Sequence, residues 1–192
     1  MPVERLRGAQ TAGLSRFAEN RVQEAEEKAP LLPGISWELV GRLQSNKVSR
    51  AVEIFDAIHS IDSLELAQRV ARVATAAQRA PYPVYLQVNI DADEAKAGFT
   101  AAGLTALAPE LAAIDGLSIV GLMTVGRLVA DAEAARPTFR VLRELSQRVR
   151  VEVPTIGAGL SMGMSDDCEV AVEEGATVVR LWRVLFGERP SA

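Results

Sequence analysis

The chain is poor in the residue types on which many kinds of chemistry depend. It has one cysteine, Cys168, and one histidine, His59, in 192 residues. A single cysteine excludes an intrachain disulfide and a zinc site of clustered thiolates; a single imidazole excludes a metal site built on several histidines. Lysine is almost as scarce, since all basic residues except Lys28, Lys47 and Lys96 are arginine. No apolar run reaches the roughly eighteen residues of a membrane-spanning helix, and the opening Met-Pro-Val-Glu-Arg-Leu-Arg lacks the apolar core of a secretory signal. A cytoplasmic protein with no membrane segment is expected. Excess base is missing too: a net charge of −4 and a pI near 5.2 argue against a general nucleic-acid partner. No Gly-x-x-x-x-Gly-Lys-Ser/Thr phosphate loop occurs.

What is present is a globular composition, 48% hydrophobic and 24% charged, arranged as alternating short apolar runs and amphipathic segments. Helical patterns are expected over residues 3–13, 21–28, 62–79, 100–114, 131–149 and 166–174, with Asp62 and Glu65 as a capping box for the third. Strands are expected at 16–20, 36–41, 55–61, 84–90, 118–125, 155–160 and 177–181. Repeated βα units with near-continuous apolar strands predict a parallel sheet covered by helices, about seven strands where a (β/α)8 barrel has eight. No linker or internal repeat beyond the βα unit interrupts residues 1–192, so one domain is expected.

In such a barrel the loops after the strands form the active face. Asn20, Gly41, Gln44, Asn46, His59, Ser60, Asp62, Asn89, Met123, Thr124, Ser161 to Gly163 and Arg180 to Arg183 fall there. The stretch Leu-Ser-Met-Gly-Met-Ser-Asp-Asp, residues 160–167, is expected to be a tight turn between a strand and a helix that Ser165 could cap. Ser161 and Gly163 would let successive N–H groups approach an anion, a phosphate above all, and Asp166 and Asp167 would push that anion upstream. The same small residues equally suit a capped turn with no guest. The lone His59 is expected to be a hydrogen-bonded strand-end residue, and Cys168 structural.

Seven co-linear stretches carry a resemblance to a known family: Phe-Ala-Glu-Asn-Arg-Val-Gln-Glu (17–24), Gly-Arg-Leu-Gln-Ser-Asn-Lys (41–47), Ile-His-Ser-Ile-Asp (58–62), Gln-Val-Asn-Ile (87–90), Lys-Ala-Gly-Phe (96–99), Gly-Leu-Met-Thr (121–124) and residues 160–167. In these the chain resembles the pyridoxal phosphate homeostasis proteins. The resemblance implies an α/β fold, a TIM barrel like the N-terminal domain of alanine racemase. It implies a protein that binds pyridoxal 5′-phosphate and supplies PLP-dependent client enzymes without catalytic turnover. It further implies that Asn20 lines the cofactor site, Met123 lies near the ring, Ser161 and Gly163 contact the phosphate, and Arg180 faces the pyridine nitrogen. An arginine there can only donate hydrogen bonds, so it leaves the ring a poor electron sink, which suits a carrier better than a racemase or lyase.

The chain departs from the family pattern in two places. The family's Schiff-base lysine belongs to a first-strand Lys-Thr-x-Pro motif; Pro2 matches its proline, so that lysine would fall before Met1. Cofactor held without a covalent bond is the expectation, with Lys47 and Lys96 as the lysines on the active face. After Arg180 the family's Ile-Gly-Thr is replaced by Leu181-Trp182-Arg183, where Arg183 could pair with phosphate or Trp182 could crowd it. Two other readings stay open: a PLP-dependent amino-acid racemase or lyase of related fold, and a degenerate barrel that binds no cofactor.

Overall fold

The computed structural model describes residues 2–126, 129 and 131–187. Seven strands join one sheet in chain order: β1 (Arg16–Glu19), β2 (Ser36–Leu39), β3 (Ala57–Ile61), β4 (Tyr82–Gln87), β5 (Leu117–Met123), β6 (Gly159–Met164) and β7 (Val178–Arg180). Every pairing whose register is described is parallel. Sequential order with parallel neighbours and a helix in each crossover is the strand arrangement of a (β/α) barrel. The helices are α1 (Val3–Thr11), α2 (Val22–Lys28), α3 (Val48–Ile54), α4 (Leu64–Ala76), α5 (Ala101–Ala112), α6 (Arg136–Glu152), α7 (Cys168–Glu173) and α8 (Arg183–Phe186). None of them is long and apolar enough to cross a membrane. The chain divides into two compact units, residues 1–84 with 114–118, and residues 85–113 with 119–192.

In the first unit, Trp37, Leu39, Phe55, Ile58 and Ile61 are buried, and α4 packs on β3 and α3. On α4 the buried residues are Leu66, Ala67, Val70, Ala71 and Ala74, a helical stripe that fixes which face packs inward. Each large apolar side chain so buried contributes about 1.5–3 kcal/mol. The helix is capped by Ser63, whose hydroxyl accepts from Leu66 N, and not by the expected Asp62. Ser63 has extended backbone and stands three residues before a free N–H, which is the geometry a cap needs; Asp62 is one residue too early and instead lies 3.8 Å from Arg42.

In the second unit, α6 buries Phe139, Leu142, Leu145 and Val149. Two strands differ from expectation. β4 starts at Tyr82 and stops at Gln87, because the chain beyond it pairs with the loop before α5: Phe99 N donates to Gln87 O and Asn89 N to Phe99 O. β6 lies four residues later than predicted. Residues 154–156 form a turn, with Ile156 N donating to Val153 O, and the strand then runs through the small residues predicted to be the turn. A Cβ at Gly121 would run into Gly159 O, and one at Gly157 into Val120 O. These two glycines are therefore what lets β5 and the start of β6 come together.

Candidate functional site

Three strand ends of the second unit meet at one guanidinium. β5 and β6 pair Met123 with Ser161, and β6 and β7 pair Met164 with Arg180 across an irregularity in register. That irregularity contains Gly163, whose φ of 93° is left-handed. A Cβ there would meet the Cβ of Ala171 on α7, so glycine is required both by the backbone and by the helix packed on it. The offset leaves Arg180 beside its neighbours' polar groups: Nη2 donates to Thr124 O at 2.8 Å and Nη1 to Ser161 Oγ at 3.4 Å. Thr124 Oγ1 donates to Val88 O at 2.8 Å, which anchors the carbonyl that Arg180 uses. Met123, Thr124 and Ser161 are buried.

Arg180 forms no ion pair with a described carboxylate. Burial pushes its pKa down to about 10, and the charge of nearby Asp167 opposes the shift without cancelling it. Asp167, itself buried, spends one oxygen on Met164 N at 2.6 Å. A half-buried cation without a direct anionic partner is costly to keep, and such groups collect at binding sites. A guanidinium has five N–H donors, and two protein acceptors leave it capacity for a guest.

The structure brings Met123, Ser161, Gly163 and Arg180 together and revises the surroundings. Ser161 to Gly163 are strand, not a turn, so they do not form the expected cup of successive N–H groups. Ser165 does not cap α7; its hydroxyl accepts from both Trp182 N and Arg183 N, each at 3.0 Å. The Arg183 guanidinium is paired with Asp166. Residues 159–163 have the Gly-x-Ser-x-Gly spacing of a hydrolase nucleophile elbow, yet the serine is in mid-strand rather than on a strand-to-helix turn. The only histidine is already engaged, with Nε2 3.0 Å from Glu38 Oε2. The Thr124 carbonyl is the part of the site that sequence reasoning missed, since a main-chain acceptor leaves no residue-type signal; Asp167, expected to repel a phosphate, instead lends its charge to Arg180.

The remaining expected positions are scattered. His59 and Ser60 are fully buried within β3, and Ser60 Oγ donates to Gly41 O. Glu38 is bound by His59 on one oxygen and Arg16 on the other. Asn89 organises its own loop, donating to Asp93 O and Lys96 O. Lys96 Nζ donates to Val125 O and Gly126 O at 3.3 and 3.0 Å, and Lys28 is buried against Glu19 at 2.6 Å. Asn20 belongs to the first unit, where it is exposed on the rim of a groove that Gln44 and Lys47 also line. Among the described residues no cluster of three or more metal-ligating side chains occurs.

Known proteins share this framework. The model of the alanine racemase N-terminal domain family matches residues 3–190. A pyridoxal phosphate homeostasis protein of Aquifex aeolicus is 38% identical over 191 residues, covering 98% of this chain and 83% of that one. The structure of PipY from Synechococcus elongatus PCC7942 with PLP bound superposes with a TM-score of 0.91 at 42% identity, over 97% of this chain and 88% of that one. An alanine racemase of Clostridium difficile 630 superposes with a TM-score of 0.82 at 15% identity, over 98% of this chain and 51% of the racemase, a likeness of fold alone. The fold is TIM-barrel-like, as the strand order had indicated.

Proposed function

The chain belongs to the pyridoxal phosphate homeostasis protein family, and from that premise we propose that it binds pyridoxal 5′-phosphate without catalytic turnover and serves its supply to PLP-dependent enzymes. The observation that carries this reading is Arg180: a half-buried, strongly donating cation with no ion-pair partner among the described carboxylates, set beside a buried serine hydroxyl. This donor set fits the vitamer. Arg180 holds the pyridine nitrogen, an acceptor that a guanidinium can serve, and Met123 packs beside the ring. Ser161 and the backbone at Gly163 serve the phosphate, and Arg183 joins them only by giving up Asp166. Asn20 is assigned to the site on the family motif alone. When bound, pyridoxal phosphate supplies an aldehyde reactive toward primary amines.

The absence of turnover is supported by the same arginine. It remains protonated at neutral pH and can only donate, so it cannot accept a hydrogen bond from a protonated ring nitrogen as a carboxylate does. Of the two lysines expected on the active face, Lys96 is committed to main-chain carbonyls, which favours non-covalent retention, while Lys47 lines a groove of the first unit and is the position where a reduced adduct would speak for covalent binding. The test is a spectroscopic titration of the chain with pyridoxal phosphate, followed by borohydride reduction and peptide mapping. Saturable binding that weakens at least about tenfold in Arg180→Gln is expected. No binding, or equal binding by the variant, would overturn the assignment, and racemisation of an amino acid would overturn the carrier reading.

A further inference from the structure

The groove in the first unit offers chemistry that the cofactor reading leaves unused. Its cavity measures about 650 Å3, within the usual range for small-molecule sites. One wall is α2 with its N-cap, presenting Arg21, Gln23, Glu24 and Glu27; the other is the segment after β2, presenting Arg42, Gln44 and Lys47. The walls are held by main chain at the strand ends and by the Arg50–Glu26 pair between α3 and α2. Val40 N donates to Glu19 O at 3.0 Å, and Gly41 lies so close to Asn20 that a Cβ would run into its carbonyl. The α2 wall is fixed by the buried Lys28–Glu19 pair, and the other by buried Leu43 and Val48.

Charges of both signs thus line the groove: cations stand on both walls, while Glu24 and Glu27 stand on α2 alone, with Arg21 beside Glu24. Neither Glu27 nor Lys47 has an ion pair among the described residues, and Arg42 has only the 3.8 Å approach to Asp62. Glu24 is shared with Lys28 at 3.3 Å, so Glu27 is the open anion of its wall. An inorganic anion would satisfy the cations and be repelled by the glutamates. A ligand with both charges on one carbon satisfies both walls, and Gln23 and Gln44 offer amide partners to its side chain.

We propose that this groove binds a free α-amino acid with a polar side chain, its carboxylate on Arg42 and Lys47 and its ammonium on Glu27. Asn20, on the rim, is the one residue shared with the cofactor assignment; the other partners are separate from it. L-Glutamine is the probe, followed by NMR shift perturbation of the full chain. The controls are 4-carbamoylbutanoate, which lacks the amino group, 4-aminobutanamide, which lacks the carboxylate, and inorganic phosphate. Glutamine is expected to shift groove resonances saturably, and each control to bind at least about fivefold more weakly. Glu27→Gln and Lys47→Gln, both at solvent-accessible positions, should each lose about threefold to tenfold in affinity with unchanged circular dichroism. Arg180→Gln should retain glutamine binding and Glu27→Gln should retain pyridoxal phosphate binding, so failure at one site is distinguishable from failure at the other. Phosphate or 4-carbamoylbutanoate binding as tightly as glutamine, undiminished binding in both groove variants, or no shifts with glutamine would overturn the proposal.

Discussion

Arg180 asks two opposed things of the protein. As a half-buried cation without a carboxylate partner it costs stability; as a donor it is the centre of the proposed cofactor site. Arg180→Met should therefore melt no lower than the parent in the absence of cofactor while losing most pyridoxal phosphate affinity. Paired thermal melts and titrations test this, and a marked fall in melting temperature would show the arginine to be structural. Glu38 makes a different prediction. Burial alone would raise its carboxyl, but the hydrogen bond and charge of His59, with a smaller contribution from Arg16, hold it below the usual carboxylate value. Its stabilisation is then present above the unfolded pKa of about 4.3 and lost as pH falls through the lower folded value. Glu38→Gln should cost about 2 kcal/mol at neutral pH and flatten the acid limb of stability against pH in urea titrations.

At the level of helices and strands, periodicity was a good guide and small residues were a poor one. The stripes of α4 and α6 and the apolar strands β2, β3 and β5 could be read from spacing, because burial on one face is written into residue type. β6 could not, since Gly159, Ser161 and Gly163 have turn-like composition and only the closeness of β5 and α7 makes them strand. Gly121→Ala should cost more than about 3 kcal/mol, because the added methyl meets main chain that cannot swing aside. The cap of α4 offers a finer test of where a helix begins. Ser63→Ala should cost about 1 kcal/mol and Asp62→Ala no more than about 0.5 kcal/mol; reversed values in chemical denaturation would restore the sequence-based cap.

For the molecule as a whole, a net charge of −4 does not favour an anionic ligand, so attraction must come from the local cation rather than the general field. Because Arg180 is half-buried and held by Thr124 O, pyridoxal phosphate affinity should change by less than about threefold between low and physiological salt; a steeper dependence would point to exposed arginines instead. The seven-stranded order and the family were legible from co-linear motifs. The partners of Arg180 were legible only where they are side chains, and the roles of Ser165 and Arg183 were not, since each is set by a neighbour distant in sequence. Ser165 has one more consequence. A single oxygen receives the N–H groups of both Trp182 and Arg183 and so moors the start of α8 to the segment before α7. Remove that mooring with Ser165→Ala, and the bond after Arg183 should become open to trypsin well before the body of the protein is cut, which a time course of limited digestion would show.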